Sequence, residues 1–152
     1  MAAIFEKLNL KSHSEILVVN APESFEPELA ALEGVRILRE AGSAQSIRFA
    51  LVFATKRAEV SALVAKICPK VEGDAILWFA YPKGSSRKYK CDFNRDNGWQ
   101  SLGDAGFEGV RMVSIDEDWS ALRFRHISYI KSFNRDAARA QSARGKRRAA
   151  AK

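Results

Sequence analysis

A chain of 152 residues, 47% hydrophobic and 28% charged, has the composition of one globular domain large enough to need no disulfide staples. It contains no apolar run near the ~20 residues of a membrane span and no signal-peptide pattern after Met1, and its two cysteines, Cys68 and Cys91, are too far apart for a zinc or redox motif. The net charge of +7 sits at one end: residues 131–152 carry eight basic side chains and one acid, whereas residues 1–130 carry 17 of each sign.

A soluble, cytoplasmic protein is therefore expected, with an electrically neutral body (1–130) and a polycationic tail (131–152). The first 14 residues offer Ile4, Phe5, Leu8 and Leu10 as anchors and fit a short helix or an extended lead-in. Glu15–Asn20 is a compact, β-branched run bounded by Pro22, the pattern of a strand buried on both faces. Ser24 is placed to cap a helix through Leu32 that Gly34 ends, and Val35–Arg39 alternates as a second strand. Ile47–Phe53 is a third strand. Thr55 is placed to cap a helix whose Val60, Leu63, Val64 and Ile67 form one apolar stripe, and Pro69 stops it.

Gly73-Asp74 reads as a turn into Ala75–Ala80, the most hydrophobic strand, which breaks at Tyr81-Pro82-Lys83-Gly84-Ser85-Ser86. A polar segment, a short helix from Trp99 to Ala105 and a strand from Gly109 to Ile115 follow. Trp119–Ile127 is then an antiparallel partner to that strand. Beyond Ser132 the Ala/Arg-rich tail lacks an apolar stripe and predicts a frayed helix or disorder. Strands alternating with helices specify an α/β Rossmann-like three-layer sandwich, mainly parallel, with an antiparallel C-terminal hairpin. A mixed-sheet α+β fold is the alternative.

Ligands in such sheets bind outside the carboxyl ends of the strands. Those ends carry Asn20, Glu40, Thr55 and the Tyr81–Ser86 loop. Asn20-Ala21-Pro22-Glu23 has no glycine and loses an amide donor at Pro22, so a nucleotide-type cofactor is not expected at that turn. Lys83, Ser85 and Ser86 are candidates for anion binding, although the loop is no P-loop. Having only His13 and His126 and no G-x-S-x-G elbow argues against a Ser-His-Asp hydrolase, and no metal is expected. Asp116, Glu117 and Asp118 read as turn residues forming a salt bridge to Arg123 or Arg125. Trp78, Trp99 and Trp119 read as packing residues, and His126 as structural. Cys68 reads as a small core residue and Cys91 as exposed.

Trp78-Phe-Ala-Tyr-Pro-Lys83 and Asp116-Glu-Asp-Trp-Ser-Ala-Leu-Arg-Phe124 resemble an uncharacterised bacterial family sharing W-x-x-Y-P-K and D-E-x-W-S-x-L-R-F segments. The resemblance spans roughly residues 12–127. Its architecture is similar to the fold of S-adenosylmethionine-dependent methyltransferases, which implies that Glu40 matches an acid holding a ribose.

Two functional readings of the body follow. One is a degenerate, non-catalytic methyltransferase-like domain that binds a partner or small anion through Asn20, Glu40, Tyr81, Lys83, Ser85, Ser86, Trp119 and Arg123. The other is an active enzyme, S-adenosylmethionine-dependent or not, with an atypical site. A third reading assigns nucleic acid or an acidic partner to the tail, through Arg144, Lys146, Arg147 and Arg148.

Overall fold

The structure is a computed structural model. It describes residues 3–11, 13–93 and 99–130. Six strands form one sheet: β1 (Glu15–Val19), β2 (Arg36–Leu38), β3 (Ile47–Phe53), β4 (Val71–Pro82), β5 (Phe107–Ser114) and β6 (Trp119–His126). Their spatial order is β2-β1-β3-β4-β6-β5. The first four strands are parallel, and β6 runs antiparallel to both β4 and β5. The expected α/β sandwich with an antiparallel C-terminal hairpin is the observed architecture.

The apolar runs are continuous because both faces of the central strands are covered. On one face, Ile4, Phe5 and Leu8 of the N-terminal segment, including helix α1 (Ala3–Lys7), pack with Phe25 and with Leu29 of α2 (Glu26–Ala30) onto Phe49, Phe53 and Trp78. On the other, Val60, Val64 and Ile67 of α3 (Arg57–Ile67), Leu102 of α4 (Gln100–Asp104) and Trp99 pack onto Leu77, Phe79 and Phe124. Alternation along β4 assigns Trp78 and Ala80 to the first core and Leu77, Phe79 and Tyr81 to the second. All three tryptophans are buried, as expected. The Trp78 indole N–H donates to the Leu8 carbonyl at 2.8 Å, which fastens the N-terminal segment to mid-sheet. Burying a large apolar side chain of this kind contributes about 1.5–3 kcal/mol.

Several local expectations change. Gly73-Asp74 lies inside β4 rather than before it. Gly73 takes φ +62, and the pairing with β3 jumps from Val71 to Ile76 across this irregularity. Ser24 falls within a 3-10 turn (Glu23–Phe25) and caps nothing. Thr55 does not cap α3; its hydroxyl donates to Glu59. Cys91 is half-buried rather than exposed, and Cys68 packs partly buried against the core, where burial pushes its thiol up to about 11. His126 is structural, stacking edge-on to Phe107 at 5.3 Å. A Cβ at Gly106, which has φ +91, would lie 2.7 Å from its Nε2, so glycine is required there.

Candidate functional site

Reading the sheet outward from β1, the chain places β2 on one side and β3 on the other. This reversal makes the gap between the carboxyl ends of β1 and β3 the switch point, where a doubly wound sheet opens a ligand crevice.

At the end of β3, the N-terminus of α3 is an electropositive set of amide donors of the kind that binds anions. The protein supplies the anions itself. Glu59 reaches back so that its Oε1 accepts from Thr55 N (3.0 Å), Thr55 Oγ1 (3.0 Å) and Lys56 N (3.1 Å). Asp92 Oδ1 accepts from Arg57 N at 2.7 Å. At the end of β1, Asn20 adopts φ +60, a left-handed conformation that asparagine tolerates better than most residues, and Pro22 follows without an N–H. At the end of β2, Arg39 forms a two-pronged bond to Glu26 of α2 at 2.8 and 2.9 Å. This pair spans from the β1-linked helix to the β2 terminus. Hydrogen bonding from Arg39 holds the Glu26 carboxyl below its usual range. Glu40 is exposed beside the pair.

The β4 loop is tied to the β5–β6 turn. Lys83 N donates to the Asp118 carbonyl at 2.8 Å, and Lys83 Nζ donates to Ser114 Oγ at 2.7 Å. Ser86 Oγ donates to Asp118 Oδ1 at 2.8 Å and accepts from Tyr89 N at 3.2 Å. Asp116 Oδ1 accepts from Asp118 N and Trp119 N at 2.8 and 2.9 Å, which closes the turn. That part of the expectation for the three acids stands. The expected ion pair from these acids to Arg123 or Arg125 does not form, because Arg125 bonds Asp74. Trp119 packs between Phe53 (5.1 Å) and Tyr89 (4.9 Å), and its buried indole N–H has no hydrogen-bond partner among the described residues.

The two family-like segments are one patch of sheet. Residues 77–82 of β4 pair one by one with residues 124–119 of β6, from Leu77↔Phe124 to Pro82↔Trp119. Lys83, Ser86 and Trp119 therefore meet at one corner, with Ser85 exposed on the loop. Tyr81 is adjacent but faces the other core. Its hydroxyl donates to Met112 Sδ at 3.2 Å, and its ring packs on Trp99 at 5.6 Å. Arg123 lies opposite Trp78, four residues from Trp119, or about 13 Å along the strand at ~3.4 Å per residue. Asn20 and Glu40 stand at the other two strand ends. Arg144, Lys146, Arg147 and Arg148 lie outside the described residues.

Sequence reasoning missed Glu59, Asp92 and the Glu26–Arg39 pair. Glu59 had a signal, since an acid in the first turn of a helix is a capping candidate. The others join residues 13 and 35 positions apart and had none. Ser86 meets a carboxylate and a backbone amide, not a histidine. His13 lines a cavity at the amino-terminal edge of the sheet, and His126 is at the far end of β6. Among the described residues no three His, Cys, Asp or Glu side chains are grouped to hold a metal. No helix among them is long and apolar enough to cross a membrane.

No family model matches this chain, and neither does any curated protein. Solved structures do match. N-methyltransferase NodS from Bradyrhizobium japonicum aligns with a TM-score of 0.51 at 13% identity, over 80% of this chain and 91% of its own. The chain has a methyltransferase-like fold. TehB from Haemophilus influenzae aligns at 0.43 and 10% identity, over 83% of this chain and 62% of its own. LepI, solved in a complex with SAM, aligns at 0.49 and 12% identity, over 80% of this chain and 38% of its own. At such identities the likeness establishes the fold alone, and function must be argued from the site.

Proposed function

We propose that this protein is a non-catalytic, methyltransferase-like binding domain whose β4 loop presents cations to an anionic ligand or partner. The observation that carries this reading is the filling of the switch point by the chain's own charges. Glu59 takes the amides of the turn before α3, Asp92 takes the first amide of α3, and Glu26 with Arg39 bridges the β1 and β2 ends. Together with the glycine-free turn at Asn20–Glu23, this arrangement argues against S-adenosylmethionine bound in the usual place. Glu40 would hold a ribose only if that ribose lay outside the Glu26–Arg39 pair. Beside the closed switch point, Lys83 and Ser86 hold the loop in shape, and Ser85, Arg87 and Lys88 are its exposed groups. The pairing of the two family-like segments across β4 and β6 supports a role for this corner as a single unit.

Thermal unfolding with added ligand tests the reading. S-adenosylmethionine at millimolar concentration is expected to leave the melting temperature unchanged. A rise of several degrees would overturn the proposal, because ligand binding to the folded state must stabilise it.

The charge of residues 131–152 favours a second activity, nucleic-acid association through Arg144, Lys146, Arg147 and Arg148. Such binding weakens steeply with salt because it releases counterions. Replacing these four residues by glutamine in the full chain should flatten the salt dependence of RNA or DNA binding. An unchanged dependence excludes the tail.

A further inference from the structure

The outer part of the sheet carries a cluster of positive charge that the β4 loop does not share. Arg111 of β5 stands directly opposite Arg123 of β6. Side chains of directly opposed residues lie on the same face, about 4.5–5.5 Å apart at Cβ. Arg125 is two residues further along β6 and therefore on the same face, about 7 Å from Arg123. Strand pairing thus sets three arginines on one face.

The acids on this face balance only Arg125. Asp74 is held by both prongs of Arg125. Glu72, on the same face of β4, lies 3.6 Å from Arg48. Glu108 is fully buried on β5 opposite Arg125. Neither Arg111 nor Arg123 has an ion-pair partner among the described residues. Arg123 is half-buried beside Trp78, and its Nε is fully buried with no hydrogen-bond partner there. Burial lowers the Arg123 pKa first. Arg125 lowers it further, Asp74 opposes, and Arg111 adds to the lowering. A buried guanidinium N–H without an acceptor, facing two like charges, is costly to keep.

We propose that Arg123, flanked by Arg111 and Arg125, forms a binding site for a small free phosphate-bearing ligand. Guanidinium groups match phosphate oxygens in planar, two-pronged fashion. Arg111 and Arg123, opposed on one face with Arg125 two residues along β6, suit one phosphoryl or pyrophosphoryl group better than the spaced phosphates of a nucleic-acid strand. The bound oxyanion neutralises the mutual repulsion of Arg111 and Arg123. The site stands mid-strand, about 13 Å from the Lys83–Ser86 corner, and does not depend on the function proposed there.

The test is a titration of the full-length protein with inorganic pyrophosphate at low ionic strength, followed by calorimetry and by the arginine Nε–H signals in NMR spectra. Saturable binding with a shifted Arg123 Nε–H signal is expected. Arg123→Gln should weaken the binding at least tenfold. Arg111→Gln, at an exposed position that should leave folding intact, should weaken it several-fold. Arg87→Gln with Lys88→Gln should leave it unchanged. The proposal is overturned by an Arg123 signal that does not respond, by equal binding in Arg111→Gln, or by loss of binding in the loop variant. Binding of an oligonucleotide without binding of pyrophosphate would overturn it as well.

Discussion

The carboxyl end of the sheet and the open face of β5 and β6 handle charge in opposite ways. At the carboxyl end, backbone donors and an arginine are each met by a carboxylate of the same chain: Glu59 and Asp92 at α3, and Glu26 at Arg39. On the β5–β6 face, Arg111 and Arg123 meet each other. Around β1, β2 and α3 the charges of the first region are matched within the chain, and its exposed cations are Arg87 and Lys88 of the β4 loop. The second carries an unmet demand.

The largest effect expected from breaking this contrast is at Glu59. Its carboxylate satisfies two backbone amides and one hydroxyl in the turn before α3. Glu59→Ala leaves those donors without their acceptor and should cost about 1–2 kcal/mol, the range for losing a helix cap. Urea unfolding monitored by tryptophan fluorescence measures this directly. The same variant exposes amides to solution anions, so sulfate should restore more stability to it than to the parent protein. Equal sulfate dependence would mean that Glu59 does not stand in for an external anion.

Much of the fold is legible in the sequence, because strands covered on both faces leave continuous apolar runs such as Leu17–Val19 and Ala75–Ala80. The stripe Val60-Leu63-Val64-Ile67 marks α3 in the same way, by its spacing alone. Features that depend on register are not legible. Gly73-Asp74 has turn chemistry, yet φ +62 at Gly73 lets β4 absorb it as an irregularity. Local chemistry is enough to mark Asp116–Asp118 as a turn. It does not reveal the partner of Arg125, since Asp74 lies 51 residues away. Lys83, Ser86 and Trp119 fall at one corner because they end paired strands. Arg123 shares a sequence segment with Trp119, but its distance from that corner is invisible until its pairing with Trp78 is known.

A smaller effect follows on the open face. Like charges opposed across two strands destabilise the pair, and salt screens that repulsion. Arg111→Gln should therefore raise stability at low ionic strength by about 0.3 kcal/mol, close to 1 °C in melting temperature. The gain should vanish at ~1 M salt, where the screening length is about 3 Å. A loss of stability at low salt would mean that Arg111 has a favourable partner and that the cluster is already balanced.

The smallest effect concerns His13, which lines a cavity of about 300 Å³ with Arg48, Glu72 and Asp74 at the amino-terminal edge. Its Nδ1 accepts from Lys11 N at 3.2 Å, and its ring meets Phe49 edge-on at 5.6 Å. Burial, and then the nearby Arg48 charge, lower its pKa from 6.5. The unfolded chain thus binds a proton at His13 more readily than the folded one does. The resulting stability is fully present above pH 6.5 and is lost as pH falls through 6.5 toward the folded pKa. Glu26, whose pKa is also lowered, acts in a separate window below its ordinary value of 4.5. Between about pH 7 and pH 5 the parent protein should therefore lose stability that His13→Asn does not lose. Unfolding curves at about pH 7, 6 and 5 for both proteins decide the matter. Parallel pH profiles would show that Arg48 and burial do not reach His13, and that the excess of positive charge stops at β6.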